Sequence, residues 1–188
     1  SKMYYYFGYI HFSSEKYLLA EQAYKDLMNE PDSNDQERLG SLHSLAQLAY
    51  IREDYRGSID YLLRWLDLEE DPSADSYALL STTYYQLEDF KTSVKHIVTA
   101  IEMQESRDIP ITRPVLDEEG NETGEKEETG ETKKGVAKEN HYLLKMALFT
   151  ELKRDLDVLP VYEILVQHYP KKQYWTQLSG PAAETHRT

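Results

Sequence analysis

Histidine and carboxylate are the side chains here that could hold a metal or move a proton, and their spacing decides whether they do. The six histidines, His11, His43, His96, His141, His168 and His186, are scattered singly. None belongs to an HExxH pair or to a cluster at the short spacing a zinc site needs. Glu69, Glu70 and Asp71 form a charge run that reads as a solvated helix end. The stretch DEEGNETGE gathers hard oxygen donors, yet it lacks the turn glycine and terminal bidentate glutamate of a calcium loop. Asn121-Glu-Thr is a formal glycosylation sequon. No G-x-S-x-G, P-loop or G-x-G-x-x-G occurs. Cysteine is absent, which removes thiol nucleophiles, thiolate zinc sites and disulfides. The expectation is a protein with no catalytic residue, no cofactor and no metal: not an enzyme.

The formal net charge of -13 argues against a nucleic-acid partner, which requires a basic stripe, and against docking on anionic lipid. No stretch approaches the ~20 apolar residues of a membrane-spanning helix, so no direct membrane insertion is expected. The chain opens on SKMYYYFGYIHF, which has no run of Leu or Ala and does not read as a signal peptide. It starts without an initiator Met, which we read as an excised or processed piece whose targeting segment is gone. At 188 residues it can bury one sizeable core.

Something must hold so many rings, 16 of them tyrosines, and internal repetition shows what. SSEKYLLAEQAYKDLMNEPD, REDYRGSIDYLLRWLDLEEDP and LEDFKTSVKHIVTAIEMQES each carry an aromatic (Tyr17, Tyr55, Phe90). Each aromatic is followed at three residues by a small one (Ala20, Ser58, Ser93) and four later by a large one (Tyr24, Leu62, Ile97). The aromatics lie 38 and 35 residues apart, and another helical stretch precedes each. The unit is two helices joined by a tight turn. Gly8, Ala46 and Ser81 are expected to face Ala20, Ser58 and Ser93 across each pair, where small side chains let helices approach closely. Pro31, Pro72 and Pro170 follow helix ends. Pro160 falls early in a second helix, where only the first turn tolerates it.

This pattern resembles the tetratricopeptide repeat (TPR) family, whose units recur at about 34 residues. Tyr4, Phe7, Gly8, Ala20, Tyr24, Leu27 and Pro31 carry the likeness in the first copy, and Leu42, Leu45, Ala46, Ala49, Ser58, Leu62 and Trp65 in the second. Tyr77, Leu80, Ser81, Tyr84, Ser93, Ile97 and Ala100 carry it in the third. HYLLKMALFTELKRDLDVLPVYEILVQHYP is a weaker fourth copy, and Trp175, Leu178 and Ser179 begin a fifth. The resemblance implies an all-α fold, a right-handed superhelix of antiparallel helix pairs with about four repeats and part of a fifth. We expect one helical-repeat domain over 1–180, with repeats at 1–32, 38–72, 74–106 and 139–170, a partial repeat at 171–180 and a tail at 181–188. Residues 105–138 interrupt it. Their acidic, glycine-bearing centre suggests a mobile insertion, with the apolar IPITRPVL able to pair as one arm of a hairpin.

In the family, a different face from that of Tyr4 and Phe7 lines a concave groove. The resemblance therefore implies a peptide-binding groove at Tyr5, Tyr9, Phe12, His43, Gln47, Tyr50, Thr82, Tyr85 and Gln86, with Ala78 on the same face. Rings supply contact area and amides satisfy peptide backbone groups. The Lys and Arg cluster of carboxylate-clamp members is missing, so an acidic peptide terminus is a poor fit. KENHYLLKMALFTELK and ILVQHYPKKQYWTQLSG are further similar to bacterial TPR proteins linked to TonB energy-transducing systems. That likeness implies a periplasmic accessory protein of TonB-dependent transport. The expected function is a non-enzymatic scaffold gripping a protein or peptide. The alternative is a structural spacer or self-association module acting through apolar repeat ends.

Overall fold

The computed structural model describes residues 2–117, 119–171, 173 and 174. In chain order these form α1 (Lys2–Ser13), α2 (Tyr17–Asn29), α3 (Asp35–Ile51), α4 (Tyr55–Leu68), α5 (Ala74–Gln86), α6 (Phe90–Glu105), β1 (Asp108–Leu116), β2 (Glu122–Lys134), α7 (Glu139–Glu151) and α8 (Asp155–His168). The helices are antiparallel pairs of the expected all-α kind, with one strand pair added. Trp175, Leu178, Ser179 and the tail lie outside the described residues. The chain divides into two compact units, Ser1–His96 and the part from Ile97 onward, and the division falls within α6.

One turn is used four times. Glu15, Glu53, Glu88 and Lys153 all adopt left-handed backbone, with φ of 58°, 62°, 59° and 55°. After α3, the Glu53 N–H reaches the Tyr50 carbonyl at 2.9 Å and the Asp54 N–H reaches Ala49 at 2.9 Å. The same two bonds recur after α1, α5 and α7. This is the Schellman ending, which satisfies the last carbonyls of a helix and usually places glycine at the left-handed site. The residue after it starts the next helix at once. Asp54 accepts from the Gly57 N–H at 3.0 Å and Asp89 from the Thr92 N–H at 3.1 Å. Asn34 caps α3 through a reciprocal box with Glu37, and Ser73 caps α5.

In the first unit the small residues of the second and third pairs meet as their spacing implies, while Gly8 faces the Tyr24 ring. Ser58 Oγ donates to the Ala46 carbonyl at 2.8 Å. Ser81 and Ser93 each donate to the other's carbonyl, at 2.8 and 2.7 Å. At Gly8 an added Cβ would stand 2.6 Å from the Tyr24 ring. Between pairs, large side chains fill the seams. Ala20, Tyr24, Leu45 and Leu48 form one cluster, flanked by Tyr5, Phe12 and Tyr17. Ala46, Leu62 and Leu80 form the next, and Tyr61 touches both. Arg52 at the end of α3 pairs with Glu21 of α2.

In the second unit, β1 and β2 pair antiparallel from Asp108↔Lys134 to Leu116↔Glu122. IPITRPVL thus forms one arm, and the acidic centre forms the other rather than an unpaired loop. The register shifts twice, and each shift contains a Thr-Gly-Glu triplet of β2, at 123–125 and 129–131. Gly124 and Gly130 take φ of 86° and 81°. Thr123 and Thr129 donate to the Val115 and Ile111 carbonyls at 3.0 and 2.9 Å. The two bulges are copies of one device. Asp117, the first residue of the calcium-like stretch, accepts from the Glu119 and Asn121 N–H groups at the strand turn. Pro160 sits in the second turn of α8, which continues through it without that donor.

The neck of this hairpin is tied down by polar contacts. Gly135 N–H donates to the Arg107 carbonyl at 2.8 Å, and a Cβ there would lie 2.2 Å from the Gln104 carbonyl oxygen. Tyr142 is fully buried: its hydroxyl accepts from the Ala137 N–H at 3.2 Å and donates to Glu105. Burial and the Glu105 carboxylate hold that phenol well above its ordinary value. Gln104 Oε1 receives the Lys138 N–H at 3.1 Å and lies 3.0 Å from His141 Nδ1.

Candidate functional site

The Schellman turns place the first helices of the first unit, α1, α3 and α5, in sequence with the C-terminal end of α4 beside them. A surface cavity of about 400 Å³ opens there, lined by Tyr5, His43, Trp65, Leu39, Gly40 and Glu69, with polar Gln36, Ser73 and Ser76 at its edge. Tyr5 is held by Gly40: a Cβ at that glycine would come 2.9 Å from the ring. His43 packs on Trp65 with ring centroids 5.4 Å apart. Burial holds the His43 imidazole below its usual range, so it is neutral near pH 7. At Leu39 and Glu69 the cavity adjoins another of about 480 Å³, lined also by Asp35, Arg38, Leu68 and Glu70.

Of the nine groove residues implied by the sequence, Tyr5 and His43 come together in this cavity. Phe12, Tyr50 and Tyr85 do something else. Each crosses its own turn to a ring on the second helix: Phe12 to Tyr17, Tyr50 to Tyr55 and Tyr85 to Phe90, at 6.0, 5.5 and 5.4 Å. They form a ladder of turn clasps. Tyr9 is 60 % exposed and Gln86 ends α5 in solvent. Gln47 is half-buried, and the Thr82 hydroxyl is engaged with the Ala78 carbonyl of its own helix at 2.8 Å. Leu39, Gly40, Trp65 and Glu69 were not among the groove residues implied by the sequence. Leu39 lies one turn before His43, so extending the groove face of α3 by a turn would have found it, whereas Trp65 and Glu69 belong to α4 and its C-terminal cap.

Among the described residues, His11 stacks on Phe7, and His96 stacks on Tyr77 and Tyr84. Among the described residues, no three His, Asp or Glu side chains are grouped to hold a metal, and no helix is long and apolar enough to cross a membrane.

No known protein family and no curated protein sequence matches the chain. Solved structures do. MamA superposes with a TM-score of 0.64 at 13% identity, over 90% of this chain and 73% of that one. YrrB, described as a TPR protein with an unusual peptide-binding site, gives 0.63 at 12% identity, over 89% and 68%. Pseudomonas aeruginosa pilF gives 0.60 at 12% identity, over 97% and 66%. The fold is of the tetratricopeptide-repeat kind. At such identities the likeness extends to backbone architecture. The strand pair at Asp108–Lys134 is an elaboration between the third and fourth helix pairs.

Proposed function

We propose that this protein is a non-enzymatic scaffold that binds an extended or helical peptide of a partner protein on the α1–α3–α5 face of its first unit. The observation that carries this reading is the cavity where Tyr5, His43 and Trp65 present rings beside the amide of Gln36. Such a surface offers apolar area with hydrogen-bonding groups at its edge, which suits a peptide backbone. The peptide-binding site described for YrrB, on the same backbone architecture, supports it. The test is selection of displayed random heptapeptides on the immobilised full chain. Enriched peptides should bind His43→Ala/Gln47→Ala at least tenfold more weakly. Unchanged binding by that variant places the site elsewhere. Tyr50 and Tyr85 are poorer probes than the sequence suggested, because truncating them also opens the turn clasps.

The likeness of HYLLKMALFTELK to TonB-linked TPR proteins supports one setting for the scaffold, a periplasmic accessory role in TonB-dependent transport. Purified TonB periplasmic domain should then be retained by the immobilised chain, and passage without retention rejects that role. A second reading, self-association, is favoured by a separate observation. Met3, Tyr6, Phe7 and Ile10 of α1, with Leu18 and Leu19 of α2, are exposed apolar side chains on the first helix pair. Sedimentation velocity decides it: Phe7→Glu should dissolve any dimer, and a monomer in the parent protein excludes the reading.

A further inference from the structure

We propose that the cavity between α1, α3, α4 and α5 takes a lysine or arginine side chain of the bound peptide, with Glu69 as its counter-ion. The proposal rests on the groove reading above and specifies the chemistry of its ligand. Among the residues lining the cavity, Glu69 alone carries a formal charge, since His43 is neutral. The Glu69 carboxylate makes no ion pair among the described residues; its one hydrogen bond, from the Asp71 N–H, is long at 3.4 Å. Glu69 also caps the C-terminal end of α4, whose unpaired carbonyls carry the negative end of the helix dipole. Carboxylate and dipole thus favour the same sign of charge.

The rest of the lining suits the stem of such a residue. Tyr5, Trp65 and Leu39 offer ring faces and alkyl surface along which methylenes pack while the cationic head reaches the carboxylate. Asp35 and Glu70 in the adjoining cavity add negative field, while the nearby Arg38 is turned onto the Ser33 hydroxyl at 2.6 Å. An acidic side chain is the competing occupant, because the first turns of α3 and α5 also reach this rim. At each of these caps one N–H is already engaged, Glu37 N–H on Asn34 and Ser76 N–H on Ser73. An anion there would also meet the Glu69 carboxylate.

The heptapeptide selection on the full chain tests this directly. Lysine or arginine should rise about tenfold over the input library at one position. On Glu69→Gln, an isosteric change at an exposed helix end, that preference should vanish while other enriched positions persist. Acetylating the selected lysine should weaken binding as much as Glu69→Gln does, and the two together no more than either alone. Enrichment without a basic position, or a basic preference that survives Glu69→Gln, overturns the counter-ion and leaves the groove standing. No enrichment at all, or peptides indifferent to His43→Ala/Gln47→Ala, removes the groove and this inference with it.

Discussion

Gly8 shows how much one side chain decides. It is buried in α1 with the Tyr24 ring against it, so Gly8→Ala forces a methyl into occupied space. The ring cannot swing freely, because Tyr24 is 2 % exposed and packed among Ala20, Leu45 and Leu48. Helix propensity favours alanine by roughly 1 kcal/mol, but overpacking costs about 1–3 kcal/mol. Gly8→Ala should therefore lower stability in urea melts, and a stabilised variant would mean that the first pair is loosely packed. His43 and His96 set an acid limit. Burial holds both imidazoles below their ordinary value, with Lys95 adding to the effect at His96. The unfolded chain takes up those protons at about pH 6.5, before the folded chain does. Stability is then complete above that pH and falls as the solution is acidified through it. The melting temperature should drop between pH 7.5 and 5.5, and His43→Gln with His96→Gln should flatten the slope. An equal slope in the double variant would assign the acid sensitivity to carboxylates.

At the scale of the element, the recurring object is the turn. A non-glycine residue in the left-handed region costs about 1–2 kcal/mol, and this chain accepts it at Glu15, Glu53, Glu88 and Lys153. Glycine would relieve the strain but widen the unfolded ensemble, by about 0.4–1 kcal/mol. Glu53→Gly and Glu88→Gly should each stabilise the protein by about 0.5–1 kcal/mol, additively, in denaturant melts; a loss would show that the carboxylates are anchored. These turns also explain what could be read from the sequence. Helix pairs were legible because small and large residues recur at fixed places, as at Ala46–Ser58 and Ser81–Ser93, where the backbones must touch. The turn type was hidden because its usual glycine is absent. The second strand was hidden because its composition reads as a charged loop, although Thr123-Gly124-Glu125 repeats as Thr129-Gly130-Glu131. At the site, Tyr5 and His43 lay on the groove face implied by the resemblance. Trp65 and Glu69 did not, since they come from the other helix of a pair and meet α3 and α5 only through tertiary packing.

Across the whole molecule, the interrupting hairpin raises the question of whether it is a folding element or an attachment. Its side chains give one answer. Every residue of β2 is exposed, and β1 half-buries only Ile111 and Val115. A strand pair with so little burial is marginal by itself, so its order derives from the neck. There Tyr142 and Ala137 are buried, and the Tyr142 hydroxyl links the Ala137 N–H to the half-buried Glu105 carboxylate. Replacing residues 110–132 by a two-residue turn keeps the Asp108–Lys134 ion pair and the Gly135 bond to Arg107. That deletion should move the melting temperature by less than about 2 °C, because almost no apolar area leaves the core. Tyr142→Phe should cost more, about 1–3 kcal/mol, because it strands a buried donor and an acceptor at once. A deletion as damaging as Tyr142→Phe would make the hairpin part of the folding core. Circular dichroism of the two variants, followed by thermal melts at one protein concentration, separates an arm carried by the fold from a piece the fold depends on.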